Sequence, residues 1–419
     1  MKENWKRGLA LGISAAVLIL GSSGCSAVMA EAKAEYPDTD VPRFDLLEDN
    51  PVSEDFLESL GDFCYQTAAM ILSRGEENRL YSPLSAYYAL ALTAQGTKGE
   101  TREEFSQLLG MKGIENFSQE CGNLYRRLYQ NDGKSVLQIA NSLWIRQGID
   151  IRKDYRDMAL QDFYASLYLV DFQNSQTGEA MGKWISEQTG GMLQYDAKTD
   201  PSRILTILNT VWLKDAWTSP FDPANTREDL FTLADGQQVT CKFMNQTDEK
   251  GRIWRGDGYI RAQIPLRSGC KAIFILPEEG REAQEWLASP ELVKEALTGG
   301  KEQRRELHWS VPIFSSGSFL ELSEPLQGLG IKAAFDSEKA DFSEMLDTEA
   351  VLADVSQKVR IQWDELGLEA AAYTEVAINE TALMQPEEPM EIRLNRPFLY
   401  GVSTMEDLYL FVGICTDPS

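Results

Sequence analysis

Histidine occurs once in the 419 residues, at His308. One imidazole cannot build a multi-histidine metal site and leaves a single base for any catalytic triad. It falls in the alternating run ELHWSVPIF, where a strand histidine packed against its neighbours is expected. Cysteine is also scarce: Cys25, Cys64, Cys121, Cys241, Cys270 and Cys415, with no CxxC spacing. That excludes a disulfide scaffold and leaves the last five as small buried hydrophobes. Cations are outnumbered 40 to 65, for a formal net charge of −25. A nucleic-acid partner is excluded on that ground, because counterion release needs clustered Lys and Arg. Patterns of the GxSxG, HExxH, P-loop and dinucleotide-glycine type are missing too, so no cofactor or metal is called for. The sharpest local absence is near the C-terminus, where no Lys or Arg stands between Leu366 and Ile392.

What is present begins with a core: 43% of residues are hydrophobic and 10% aromatic, too many for a disordered chain. MKENWKR is basic, and GLALGISAAVLIL follows as an apolar run of signal-peptide length, short for a bilayer span. GSSGCS ends it in the manner of a bacterial lipobox, with Ser22 in place of the usual Leu and Cys25 as the lipidated first mature residue. Cleavage after Val28-Met29-Ala30 is the competing reading and would release the protein. The expected organisation is a signal peptide over 1–24, an acidic tether over 25–51 and one domain over 52–419. The protein is expected to be exported, touching a membrane only through a lipid anchor.

Within the domain the first half is helical. FLESLGDFCYQTAAMIL, YSPLSAYYALALTAQG, REEFSQLLG and CGNLYRRLY carry apolar residues at helical spacing. Strands follow in LQIANSLWIR, ILTILNTVWL, YIRAQIPL, KAIFILP, LHWSVPIF and LYLFVGICT. ILTILNTVWL is nearly all apolar, as expected of a strand buried on both faces. Helices first and strands later indicate an α+β fold.

One catalytic motif needs weighing. Ser268-Gly269-Cys270-Lys271 fits S-x-x-K, the nucleophile box of a serine acyl-enzyme. In such enzymes the serine opens a helix. Here the motif lies between two strand-like runs and reads as a hairpin turn.

Several stretches, in order, resemble the serpins. NRLYSPLS is similar to the family's N-x-x-x-S-P-x-S, and IANSLWI to its A-N-x-L-F-V strand. LNTVWLKDAWTSPFDPANT resembles V-N-A-I-Y-F-K-G-x-W-x-x-x-F-x-x-x-x-T, and LGIKAAFDSEKADFSEM resembles L-G-I-x-x-x-F-x-x-x-A-D-F-S. IRLNRPFLYGV fits the family's C-terminal signature. The resemblance covers roughly residues 52–418. It implies helices around three β-sheets, and a metastable monomer that inhibits proteases rather than an enzyme.

The resemblance also gives the cation-free segment an identity, a reactive-centre loop over about 365–392. ELGLEAAAYTEV resembles the family's hinge E-E-G-T-E-A-A-A-A-T, which assigns Glu365, Gly367, Leu368, Glu369, Ala370, Ala371 and Ala372 to the hinge. In the family a protease cuts the loop, forms an acyl-enzyme, and is carried along as the loop enters the main sheet. The residues permit this. Alternation from Leu368 turns Ala370, Ala372, Thr374, Val376 and Ile378 inward, all uncharged, and sends Glu369 and Glu375 outward. The pattern ends at Glu380. Leu368 replaces the family's usual Thr and Tyr373 a small residue, which keeps a non-inhibitory, substrate-type member open as the alternative.

Further positions follow from the resemblance. Ser82, Ser85, Asn209 and Gln357 match the polar group that controls sheet opening, with Gln357 where the family commonly has His. Trp217 matches the tryptophan at the top of the opening sheet. Family spacing puts the bait bond at Thr381-Ala382, with Glu380, Leu383 and Met384 as alternatives. Without a cation there, trypsin-like targets are disfavoured. Elastase-like or subtilisin-like serine proteases suit the small and apolar residues, and a cysteine protease remains open because the trap needs only an acyl intermediate.

Overall fold

The computed structural model describes residues 28–75, 77–195, 199–368 and 388–419. Two β-sheets carry the fold. The first runs, in spatial order, β1 (Val28–Ala32), β5 (Ala165–Val170), β4 (Val136–Arg146), β6 (Leu205–Ala216), β14 (Gly367–Leu368), β13 (Ser356–Trp363) and β12 (Phe314–Glu321). A short β3 (Gln130–Asn131) pairs with β4. The second runs β15 (Met390–Arg393), β11 (Lys301–Pro312), β8 (Gln238–Arg255), β9 (Tyr259–Pro265), β10 (Lys271–Pro277), β16 (Phe398–Ser403), β17 (Tyr409–Cys415) and β2 (Arg79–Tyr81). Here β7 (Arg227–Thr232) pairs with β8. The expected three sheets thus appear as two ladders, because β11 pairs over its whole length with residues 243–255 of β8, and this long pair carries β15 on one side and β9 on the other.

The helices fall where their periodicity puts them. Glu54–Leu72 starts at Ser53, whose hydroxyl accepts from the Phe56 N–H, and buries Phe56, Leu60, Phe63, Ala68 and Leu72. Pro83–Gln95 begins with proline in its first turn, where no N–H is needed, and is buried along almost its whole length. It lies in the main core between the two sheets. Helix Ser175–Gln188 covers the outer face of the first sheet, where Met181, Trp184 and Ile185 pack with Ala140, Trp144 and Leu193 in a satellite core.

Two local expectations are corrected. Residues 28–50 are not a loose tether. β1 extends the first sheet by pairing with β5, and a helix spans Arg43–Asp49. Between them Tyr36 stacks on Tyr129 at 5.4 Å and donates to Gln188 Oε1 at 2.8 Å, while the Ala34 N–H donates to Ser166 Oγ. Composition missed this because strand addition uses backbone groups that any sequence carries. β6, in turn, is half-buried over much of its length rather than buried on both faces. Among the described residues only the two-residue β14 flanks it on the β13 side. Cys64, Cys121, Cys241, Cys270 and Cys415 are free and buried. His308 is on β11 as expected but exposed, with Nε2 2.7 Å from Glu306 Oε1.

Candidate functional site

The site is the region where β6 and β13 face each other across β14. These two strands share no ladder of their own among the described residues; β14 joins them, pairing Leu368 with Asp215 of β6 and with Trp363 of β13. A strand continued beyond Leu368 would run antiparallel to both neighbours.

The turn from β13 into β14 is held from several sides. Trp217, fully buried, donates from Nε1 to the Asp364 carbonyl at 2.8 Å and stacks on Trp363 at 5.7 Å. Its backbone N–H donates to the Leu366 carbonyl at 3.0 Å, and the Phe221 N–H to the Glu365 carbonyl at 2.9 Å. The Thr226 hydroxyl donates to Glu365 Oε1 at 2.8 Å. Asp364 Oδ1 accepts from the Leu366 and Gly367 N–H groups at 2.8 and 3.1 Å, closing the turn. Burial pushes the Asp364 carboxyl up, and these bonds oppose the shift. Gly367 has φ +148°, and a Cβ there would stand 2.2 Å from the Asp215 carbonyl oxygen. Only glycine allows this approach of the two backbones.

Lower down, the polar residues named from the resemblance come together beneath the sheet. The Ser82 N–H donates to Gln357 Oε1 and Gln357 Nε2 donates to the Ser82 carbonyl, both at 2.9 Å. The Ser82 hydroxyl donates to the Leu410 carbonyl at 2.6 Å. One turn on, the Ser85 hydroxyl donates to Asn209 Oδ1. Asn209 Nδ2 donates to Asn141 Oδ1 at 2.6 Å, and Asn141 Nδ2 to the Phe163 carbonyl at 2.8 Å. Gln357 is on β13 and Asn209 on β6. The start of helix Pro83–Gln95 therefore bridges the two strands that a new strand would have to separate. Asn141 belongs to this set, and sequence reading missed it although it lies directly opposite Asn209.

Glu365, Gly367, Leu368, Ser82, Ser85, Asn209, Trp217 and Gln357 are thus placed along one seam. Cys25, the hinge residues Glu369, Ala370, Ala371 and Ala372, and the bait candidates Glu380, Thr381, Ala382, Leu383 and Met384 lie outside the described residues.

The S-x-x-K reading is not supported. Residues 268–271 turn the chain from β9 into β10 and do not open a helix. The Ser268 hydroxyl accepts from the Cys270 N–H at 3.1 Å, and the Lys271 ammonium is paired with Asp407 at 2.6 Å. Lysine so held does not activate the serine. The Ser268 N–H instead donates to Asp215, a buried carboxylate that sequence reading passed over.

Comparison with known proteins agrees with this geometry. The family model described as Serpin (serine protease inhibitor) matches residues 58–418. Serpin-Z2B of Triticum aestivum is 26% identical over 85% of this chain and 94% of its own. A serine protease inhibitor of Mus musculus is 28% identical over 83% of this chain and 85% of its own. Among solved structures, the native state of tengpin, a thermophilic serpin, superposes with a TM-score of 0.78 at 27% identity, covering 94% of this chain and all of that one.

Proposed function

The chain belongs to the serpin family, and on that premise we propose that it is an exported suicide-substrate inhibitor of serine proteases with elastase-like or subtilisin-like specificity. Members of the family are generally serine protease inhibitors.

The observation that carries the reading is the register at β14. Leu368 is opposite both Asp215 and Trp363. Carried on antiparallel, the same register would put Ala370 between Leu213 and Ile361, and Ala372 between Val211 and Val359. Thr374, the one polar residue of the inward set before Glu380, would fall between Asn209 and Gln357. Val376 would follow between Ile207 and Val355. Leu213, Val359 and Ile361 are all buried, so small and apolar inward residues meet an apolar wall, and the hydroxyl meets the two side chains able to bond it. A sequence under no demand to insert has no reason to match residue by residue.

The cleaved loop would thus become a strand between β6 and β13 and carry the acyl-linked protease away from the docking end. The bait is assigned to Thr381-Ala382, and the missing Lys and Arg direct it to enzymes with small or apolar specificity pockets. Cys25 is assigned as the lipid attachment point, three residues before β1, so that the anchor would leave the body at the β1 edge of the first sheet.

Mixing the mature chain with pancreatic elastase or subtilisin tests the reading. The expected product is a gel-stable species at the summed mass. Loop cleavage with no such species, across a panel of serine proteases, would instead identify a substrate-type member.

A further inference from the structure

Asp215 is fully buried near the end of β6 and forms no ion pair among the described residues. Its Oδ1 accepts from the Ser135 hydroxyl and the Ala216 N–H, each at 2.9 Å, and the Ser268 N–H reaches both oxygens at 3.3 and 3.2 Å. One carboxylate therefore ties together the start of β4, the end of β6 and the β9–β10 turn. Directly across the ladder is Leu368, 1% exposed. Opposed residues of an antiparallel pair project to the same side, here the core side shared with Leu213 and Trp217. An aliphatic side chain thus sits beside a buried carboxylate that has no cation among the described residues. Both residues depart from the family pattern quoted above, which has Gly at the position of Asp215 and Thr at that of Leu368.

We propose that Asp215 and Leu368 form a proton-controlled catch on the hinge: protonation of Asp215 favours the docked hinge, and its ionisation favours release. Asp215 acts here as a positioning residue, through Leu368, on where the loop begins to enter the sheet. The consequence for protease trapping rests on the inhibitor reading; the catch itself does not.

Docking of Leu368 removes water from Asp215, and desolvation disfavours the charged form. Burial does push the Asp215 carboxyl up, against the opposing bonds from Ser268, Ser135 and Ala216. If docking raises the affinity for a proton, the proton must favour docking by the same factor. Lower pH therefore holds the first residues of β14 between β6 and β13, ready to extend, and a rise in pH through the Asp215 titration loosens them.

Other ionisable groups stand on the surrounding elements, Lys214 beside Asp215 on β6 among them. Before β4, Asp132 accepts the Ser135 N–H, and Lys134 is adjacent. In the β9–β10 turn are Arg267, Lys271 paired with Asp407, and Cys270, whose thiol burial pushes up to about 11 so that it stays neutral. In the β16–β17 turn Glu406 is held by Arg43. On the hinge itself, Glu365 is held by Thr226, and Asp364 is the group whose titration must be separated from that of Asp215.

The test is amide hydrogen exchange in the uncleaved full chain, corrected for intrinsic rates, from the ordinary carboxylate range upward, about pH 4 to pH 8. The Trp217 and Phe221 amides report docking, because they donate to the Leu366 and Glu365 carbonyls. In the wild type their protection should fall as pH rises, by about tenfold for each unit by which docking moves the titration. Asp215→Asn should hold protection at the acid level throughout, Leu368→Thr should flatten the dependence, and Asp364→Asn should leave it as in the wild type. Wild-type pH dependence in Asp215→Asn, or its loss in Asp364→Asn, would overturn the proposal. If Asp215→Asn does not fold, Leu368→Thr decides alone, since it keeps the carboxylate; an unchanged dependence would refute the catch. No protease is present, so a chain that shows the coupling but traps nothing would remove only the inhibitor reading.

Discussion

Replacing Ala372 by Arg puts the insertion register to its hardest test. On the register fixed at Leu368, residue 372 would point into the core between Val211 and Val359, and Val359 is only 4% exposed. No carboxylate stands at either partner position. A guanidinium driven there would be buried without a counter-ion, at a cost of roughly 3–5 kcal/mol. At about 1.4 kcal/mol per tenfold, even the lower bound slows insertion on the order of a hundredfold relative to deacylation. The residue lies well before the bait candidates, so cutting of the loop should be unaffected. Elastase titration with mass analysis then reads the branch between trapped complex and turned-over substrate. The variant should be cleaved at the wild-type rate, release active protease, and lack the gain in thermal stability expected of the cleaved wild type. Trapping at wild-type stoichiometry would refute the register.

Other consequences are local. Gln357→Ala leaves the buried Ser82 N–H without its partner and the Ser82 carbonyl with only the Ala86 N–H, and should cost about 1–3 kcal/mol in denaturant unfolding, with faster spontaneous loop insertion on incubation. Trp217→Phe removes the bond to the Asp364 carbonyl while keeping an aromatic ring beside Trp363. It should lower stability by about 1 kcal/mol and speed exchange at the Phe221 amide. Cys25→Ala should move the protein from the membrane to the soluble fraction; unchanged fractionation would contradict lipid attachment.

Much of the arrangement is legible in the sequence alone. Helix Pro83–Gln95 and strands β4, β9, β10 and β17 fall where periodicity and turn residues place them, because each satisfies its local preference and its tertiary position together. The seam residues are reached through motif order, and the structure places Gln357 on β13, Asn209 on β6 and Ser82 and Ser85 at the start of the helix that bridges them. Three features were hidden for physical reasons. β1 joins the sheet through backbone hydrogen bonds, so an acidic, small-residue segment carries no pattern announcing it. Asn141 becomes significant only when β4 pairs with β6 and sets it against Asn209. Asp215 follows Lys214 at the end of an apolar run, where a carboxylate ordinarily marks a strand emerging into water. Only the docking of Ser135, Ser268 and Leu368 around it makes it a buried group.

The central claim is that the chain traps a protease covalently through its loop. The most direct measurement is denaturing electrophoresis with intact-mass analysis after mixing the mature chain with pancreatic elastase. The expected result is a stable species at the summed mass and a released C-terminal peptide beginning at Ala382. Complete cleavage in the loop with free, active protease and no covalent species, repeated with subtilisin and further serine proteases, would contradict it.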